Sequence, residues 1–325
     1  MKNRTWCSVV VIFALVFLCF VDVSETKAAD KYPSRPVTTI VGFGPGGVSD
    51  MTMRLWNRYL EKYMGGTFVV DHKPGAGGIL AFSYVANAKP DGYTLLNHSD
   101  YFLPVLKGTA TFKMEDLRVI AQLTLHSGVL AVSVDSPWKT FQDFIDYAKK
   151  NPGVKYGHQG AGTMVYFRME NVNRQAGLKL TGVPLKGDAE IVSSLLGKHV
   201  AIGTLGNAIA KAQAEAGKLR ILFSFDDPKP FGLDPSLPYM DTFFPKIPDI
   251  NFPIYLIAPS KTPDDIVNAL EKAMEKISKD PEFAKEVALM NDIVQFVPGK
   301  IIMQKLPAKM NLFRQILKDS AQAVK

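Results

Sequence analysis

Val37-Thr38-Thr39-Ile40-Val41, followed by Gly42-Phe43-Gly44-Pro45-Gly46-Gly47-Val48-Ser49-Asp50, is the stretch on which the reading of this chain turns. The first five residues are all β-branched, which suits a buried strand. The glycines let the backbone turn tightly and let its N–H groups approach a ligand with no Cβ in the way. A helix expected from about Asp50 to Met64 would aim its free amides and positive dipole end at the same spot. Strand, glycine turn and helix start in this order make a pocket for a carboxylate or phosphate. The spacing is not a Walker loop, since no Gly-Lys-Ser/Thr follows, and no GxGxxG frame fits a dinucleotide site. Taken alone, the loop also reads as a plain connection.

Upstream, Met1 to Ala28 has the three parts of a secretory leader: Lys2 and Arg4, an apolar run from Val9 to Val21, and Thr26-Lys27-Ala28 at the cleavage site. Removal after about Ala28 would make the protein periplasmic; an uncleaved anchor is the competing reading, because the apolar run is long. Bulky Leu18 before Cys19 argues against a lipoprotein site. No later stretch has the ~18 or more apolar residues of a second span. Both cysteines, Cys7 and Cys19, fall in the leader. The mature chain therefore has no disulfide, no catalytic thiol and no Cys-ligated metal. Its length, 325 residues with the leader, fits two domains. The net charge of +7 comes from scattered lysines, which argues against nucleic acid and for small anions.

Downstream, strands and amphipathic helices alternate, the pattern of an α/β protein. Short strands are expected at Phe68-Val69-Val70, Tyr93 to Leu96, Gly128 to Val134, Val200 to Thr204, Leu219 to Phe225 and Ile254 to Ala258. Thr140 and Asp143 form a capping box ahead of Phe141, Phe144 and Tyr147, which sit at helical spacing and read as core. The stretch from Asp227 to Pro253 reads as an irregular connection. Thr262-Pro263-Asp264-Asp265 reads as a capped helix start, and Leu306 to Ala323 as a last helix. The opening theme returns in Val154-Lys155-Tyr156, then Gly157-His158-Gln159-Gly160-Ala161-Gly162-Thr163, then a helix to about Ala176. A weaker third version is Gly182 to Asp188, before a helix from Ala189 to Leu196. Two such turns on two halves imply a cleft with an anion pocket on each wall, able to close on its ligand.

These residues resemble a known family. Tyr32-Pro33-Ser34-Arg35-Pro36 with Phe43 to Asp50 is similar to the opening of tripartite tricarboxylate transporter receptors, the TctC or Bug-type periplasmic solute-binding proteins. Asp71 to Gly78 resembles their "ENRPGAGG", Lys89 to Leu96 their "APDGYTLL", and Tyr156 to Gly162 their "YGSAGxG". Val183 to Gly187 resembles "VPYKG", and Gly217 to Arg220 sits where "AGKLR" is expected. The resemblance implies a two-domain α/β binding protein of the type II, Venus-flytrap kind with its ligand cleft between the domains. Residues 29–130 plus 252–325 would form the first domain and 131–251 the second. It implies capture of a small carboxylate and its delivery to the large and small membrane subunits of a tripartite permease. No cofactor and a monomeric state go with that role. Carried onto this chain, the ligand would meet Gly46, Gly47, Val48 and Ser49 on one wall and Gly160, Ala161, Gly162 and Thr163 on the other, with Gly77 and Ser99 at the border. The chain departs from the family at Leu185, where Tyr is usual, at Ala201, where Asp is common, and at His158-Gln159, where Ser-Ala is usual. If Leu185 and Ala201 line the pocket, the lost hydroxyl and carboxylate suit a larger or less polar acid.

His158 either donates to a ligand carboxylate or faces water as a turn residue. Lys186 either offers a counter-charge to a second ligand carboxylate or is a solvated surface lysine. Asp50 is placed to accept the N–H groups of the first turn, since it would repel an anion. His72, His98, His126 and His199 share no metal-ligand spacing. No nucleophile elbow or paired-carboxylate motif stands out, so a binding protein is expected over an enzyme. A sensor subunit that docks on a histidine kinase shares the fold and is the alternative.

Overall fold

The computed structural model describes residues 32–99, 101–160, 163–244 and 252–322; the expected leader, Ala161 and Gly162 lie outside them. β1 (Val37–Val41) runs parallel between β2 (Phe68–His72) and β3 (Thr94–His98). Alternation sends Val37 and Val41 to one face and Ile40 to the other. The first face packs on Met53, Trp56 and Leu60 of α1 (Val48–Met64). The second packs on α2 (Ile79–Ala86) and α3 (Phe102–Leu106) through Phe82 and Phe102. A strand buried on both faces has no use for a polar side, which is why its sequence is β-branched throughout. β4 (Leu117–His126) joins the same sheet.

The chain then leaves that sheet through a single residue, Ser127. β5 (Gly128–Ser133) is in a second sheet with β6 (Lys155–His158), β7 (Thr181–Pro184), β8 (Ile202–Gly206) and β9 (Leu219–Ser224), in the order β7-β6-β8-β5-β9. β6 is parallel to β7 and β8, and β5 is antiparallel to β8 and β9. α4 (Phe141–Lys150) and α5 (Met164–Gln175) cover one face, where Phe141, Phe144 and Met169 meet Phe223. α6 (Asp188–Leu196) and α7 (Asn207–Glu215) cover the other with Ile191, Leu195 and Ala210. The short α8 (Met240–Phe243) precedes the return to the first sheet. There β10 (Phe252–Pro259) and β11 (Ile293–Pro298) complete the order β11-β4-β10-β3-β1-β2. α9 (Asp264–Ser278) and α10 (Pro281–Leu289) close the first core, and α11 (Gly299–Gln322) the second. Each sheet is thus covered by helices on both faces, and the two lobes meet across a cleft.

Several local expectations are corrected. β4 and β11 carry no reading in the sequence: turn signals do not bracket β4, and its partners β10 and β11 come from the far end of the chain. Tyr147 is not core; it is 43% exposed and leans on Trp138, with ring centroids 5.0 Å apart. Thr262 does not cap α9, because its hydroxyl donates to the Pro259 carbonyl and Pro263 occupies the capping position. The last helix starts at Gly299, with Pro307 inside it, not at Leu306. The Thr140–Asp143 capping box is present as expected.

A candidate ligand site at four helix starts

α1, α5, α6 and α7 all begin at one small cavity, and the capping residue of each, Gly47, Thr163, Gly187 and Gly206, is in its wall. Three of those caps are glycines with no side chain to satisfy the first amides. Dipole ends of four helices, three of them with no side-chain cap, therefore face one volume. No lysine or arginine lines it among the described residues. What favours an anion there is oriented backbone, which costs no reorganisation when the anion arrives. The cavity measures about 50 Å³, room for a few waters or one small polar group.

The sequence order explains why these starts meet. α1 follows β1, which lies between β3 and the edge strand β2 of the first sheet, and α5, α6 and α7 follow β6, β7 and β8, which are adjacent in the second. Parallel neighbours put all their helix starts at the same edge, and the cleft is where the two edges face each other. Val48 and Ser49 come from α1, Ser99 from the end of β3, and Phe252 and Ile254 from β10.

Asp188, the first residue of α6, supplies the cavity's carboxylate. Its Oδ2 accepts from the Val48 amide of the other lobe at 3.1 Å. Its Oδ1 accepts from Gln159 Nε2 at 2.7 Å and the Gly206 amide at 3.3 Å. Burial pushes its pKa up from the usual carboxylate value, against the pull of these three donors. The carboxylate thus ties α1 to the second lobe. His126 and Ser127, at the crossing between the sheets, also line the cavity. His126 Nδ1 lies 2.9 Å from Asp292 Oδ2, a carboxyl that burial raises and the histidine lowers. Ser127 is 1% exposed, and its Oγ has no hydrogen-bond partner among the described residues.

An outer groove of about 560 Å³ adjoins the cavity, and Phe43 and Gln159 line both. The lobes touch at this groove. The Gly44 amide donates to the Lys186 carbonyl at 3.1 Å. Gly160, at φ +117°, lies so close to Gly77 that a Cβ would come within 2.6 Å of its backbone.

Of the residues expected at the site, Gly47, Val48, Ser49, Ser99 and Thr163 line the inner cavity. Gly77, Gly160 and Lys186 line the outer groove. Gly46 lines neither; its amide donates to Asp50 Oδ2 at 3.0 Å, so Asp50 braces the turn. Burial raises the Asp50 pKa, but the Gly46 amide, Arg54 and His72 outweigh it and leave the carboxyl below its usual value. His158 also lines neither volume. It is buried against Tyr156 and Tyr166, and its Nδ1 accepts from the Gly160 amide at 3.0 Å. Burial, with Lys107 adding to it and that amide opposing, takes its pKa down to about 4, so the ring is neutral. Leu185 borders the outer groove and Ala201 lies in a separate surface pocket, so neither sets the polarity of the inner cavity.

Asp188, His126, Ser127 and Gly206 are site residues that the sequence does not single out, and Gln159, a departure from the family, joins them in the wall. The strand expected at Val200 to Thr204 runs two residues later, Ile202–Gly206, and so ends in a fourth strand–glycine–helix turn at Leu205-Gly206-Asn207. Asp188 stood at the end of the third glycine turn, which was the available signal. Among the described residues no three His, Cys, Asp or Glu side chains cluster as metal ligands.

Residues 52–306 match the tripartite tricarboxylate transporter family receptor model. The UPF0065 protein in the gbd 5′ region of Cupriavidus necator is 34% identical over 266 residues, 80% of each chain. The solved structure of the periplasmic binding protein BugD superposes with a TM-score of 0.82 at 24% identity, covering 89% of this chain and 99% of that one. A Rhodopseudomonas-type relative in fold, R. palustris Rpa4515 with adipate, gives 0.81 at 23% identity, with 89% and 98% covered. The fold is therefore that of the two-domain α/β periplasmic binding proteins, with the cavity between the lobes. By the span of that match and by its relatives, the chain belongs to the tripartite tricarboxylate transporter receptors, which bind substrate and are not enzymes.

Proposed function

We propose that this receptor captures a small organic carboxylate in the periplasm by closing its lobes and hands it to the large and small membrane subunits of a tripartite permease. The observation that carries the reading is the convergence of four helix starts, with no lysine or arginine among the described lining residues, on a volume shared by both lobes. Such a site favours an anion, and only the closed form lets one ligand touch both walls, so binding drives closure. The adipate held by a protein of the same fold supports the same ligand class. On this reading the leader is removed after about Ala28, and the lobe built on the first sheet moves against the lobe built on the second about the cleft.

A thermal-shift screen of the mature protein against mono-, di-, tri- and aromatic carboxylates tests it. A ligand at 100 times its Kd adds about 2.7 kcal/mol of stability, easily seen as a raised midpoint. Gly47→Asp checks the location: its Cβ would stand 3.3 Å from Asp188 Oδ2, so the new carboxylate crowds an existing one. The variant should melt as a folded protein and bind none of the acids. A flat screen with folded wild-type protein refutes the carboxylate reading, and undiminished binding by Gly47→Asp refutes the site.

A further inference from the structure

The most unusual group at this site is the carboxylate already in it. Asp188 reaches from the second lobe to the Val48 amide at the start of α1, where a ligand carboxylate would be expected to bind. It takes the Gly206 amide at the start of α7 as well. Two of the four helix starts are thereby occupied by the protein's own anion. A second full carboxylate next to it would put two like charges in one buried volume of about 50 Å³, where they cannot both stay ionised. A carboxylate offers about four acceptor sites. Three of Asp188's are used by Val48, Gln159 and Gly206, which leaves one for a ligand donor. Ser127 Oγ, buried and without a partner among the described residues, is a second polar group in the same wall.

Resting on the carboxylate-receptor reading, we propose that Asp188 determines specificity, selecting an acid whose other end is a hydrogen-bond donor, an ammonium above all, over a dicarboxylate. The ligand's carboxylate then meets a start that Asp188 leaves open, that of α5 at Thr163 and Val165. Its ammonium meets the remaining acceptor site of Asp188, with Ser127 beside it. The ligand ammonium answers the buried carboxylate, and the ligand carboxylate faces the α5 dipole, beside the His126–Asp292 pair in the same wall.

Matched series separate the alternatives. Isothermal titration would compare α,ω-dicarboxylates of three to six carbons, ending at adipate, with the ω-amino acids of the same carbon count, ending at 6-aminohexanoate. Wild-type protein should bind the best amino acid at least 10-fold more tightly than its dicarboxylate partner. Asp188→Ala, which frees the α1 amide, should reverse that order. Asp188→Asn, which keeps the shape, removes the charge and turns an NH2 toward the Val48 or the Gly206 amide, should abolish the preference. Ligand-free melting of each variant establishes that it is folded, and the wild-type preference is read even if one is not. Tighter binding of dicarboxylates by wild type, or an unchanged preference in both folded variants, overturns this inference and leaves the carboxylate reading standing. Folded wild-type protein that binds neither series nor any acid of the broader screen overturns that reading and this inference with it.

Discussion

Gly206→Ala is a clean way to hold the lobes apart. Gly206 has φ −67° and ψ 147°, a conformation open to any residue, so alanine adds no backbone strain there. Its new Cβ would lie 2.2 Å from Val48 Cγ2 and 3.1 Å from Val48 Cβ, across the cleft. Relaxed carbon contacts sit near 3.5–4.0 Å, so the lobes must separate by about 1.5 Å or the valine must leave its rotamer. Overpacking of this kind costs about 1–3 kcal/mol. All of it falls on the closed state, because the open state parts the two residues. That predicts a loss of affinity of about 5- to 150-fold, with the ligand-free melting point almost unchanged. Titration with the tightest acid of the screen reads the affinity, and small-angle scattering of the liganded protein reads the closure. Val48→Ala in the same chain removes Cγ2 and should return most of the loss, a coupling that a double-mutant cycle isolates. Wild-type affinity in Gly206→Ala would refute the contact, and failure of Val48→Ala to rescue would refute the mechanism.

Other consequences can be checked more briefly. Thr163→Ala deletes the hydroxyl that accepts from the Tyr166 amide at 3.2 Å, and should cost about 0.5–2 kcal/mol in a urea titration; no loss would mean that α5 is not capped there. Asp226→Ala strips the carboxylate that grips both terminal nitrogens of Arg168, a side chain only 3% exposed, at 2.7 and 2.6 Å. Breaking such a buried pair costs about 3–5 kcal/mol, so the urea midpoint should fall sharply, whereas a change of a few tenths would show the pair to be solvated. Burial holds His98 at about 3, against the Ser99 amide, and His158 at about 4. The unfolded chain takes up these protons near pH 6.5 and the folded one does not. Stability is therefore full above pH 6.5 and falls with pH until the folded values are reached, by roughly 2 kcal/mol per histidine at pH 5. Equal urea midpoints at pH 7 and pH 5 in His98→Gln/His158→Gln and wild type alike would contradict this.

The local chemistry of the site was legible because it is local. β-branched Val37 to Val41, the glycines from Gly42 to Gly47 and the following helix need only their neighbours to make a strand, a turn and a set of unsatisfied amides. The same holds for the second turn before α5 and for the Thr140–Asp143 cap, whose bonds span three residues. Sequence also carried the family, through a succession of short motifs in order. What it could not carry was convergence. Which helix starts share a cavity depends on the order β7-β6-β8 and on β10 entering beside β3 from the far end of the chain, and strand order is a matter of long-range pairing. β4 was missed for that reason, and with it His126 and Ser127 at its end. His158 read as a donor in a turn, yet tertiary packing buries it between two tyrosines and makes it neutral. Asp188 read as one more residue after a glycine turn; only the approach of α1 from the other lobe turns its carboxylate into the group that fills the site. Periodicity and turn chemistry act over a few residues, so they determined the elements and the glycine turns. The cavity and its built-in charge arise where two lobes meet, and only the folded chain brings those surfaces together.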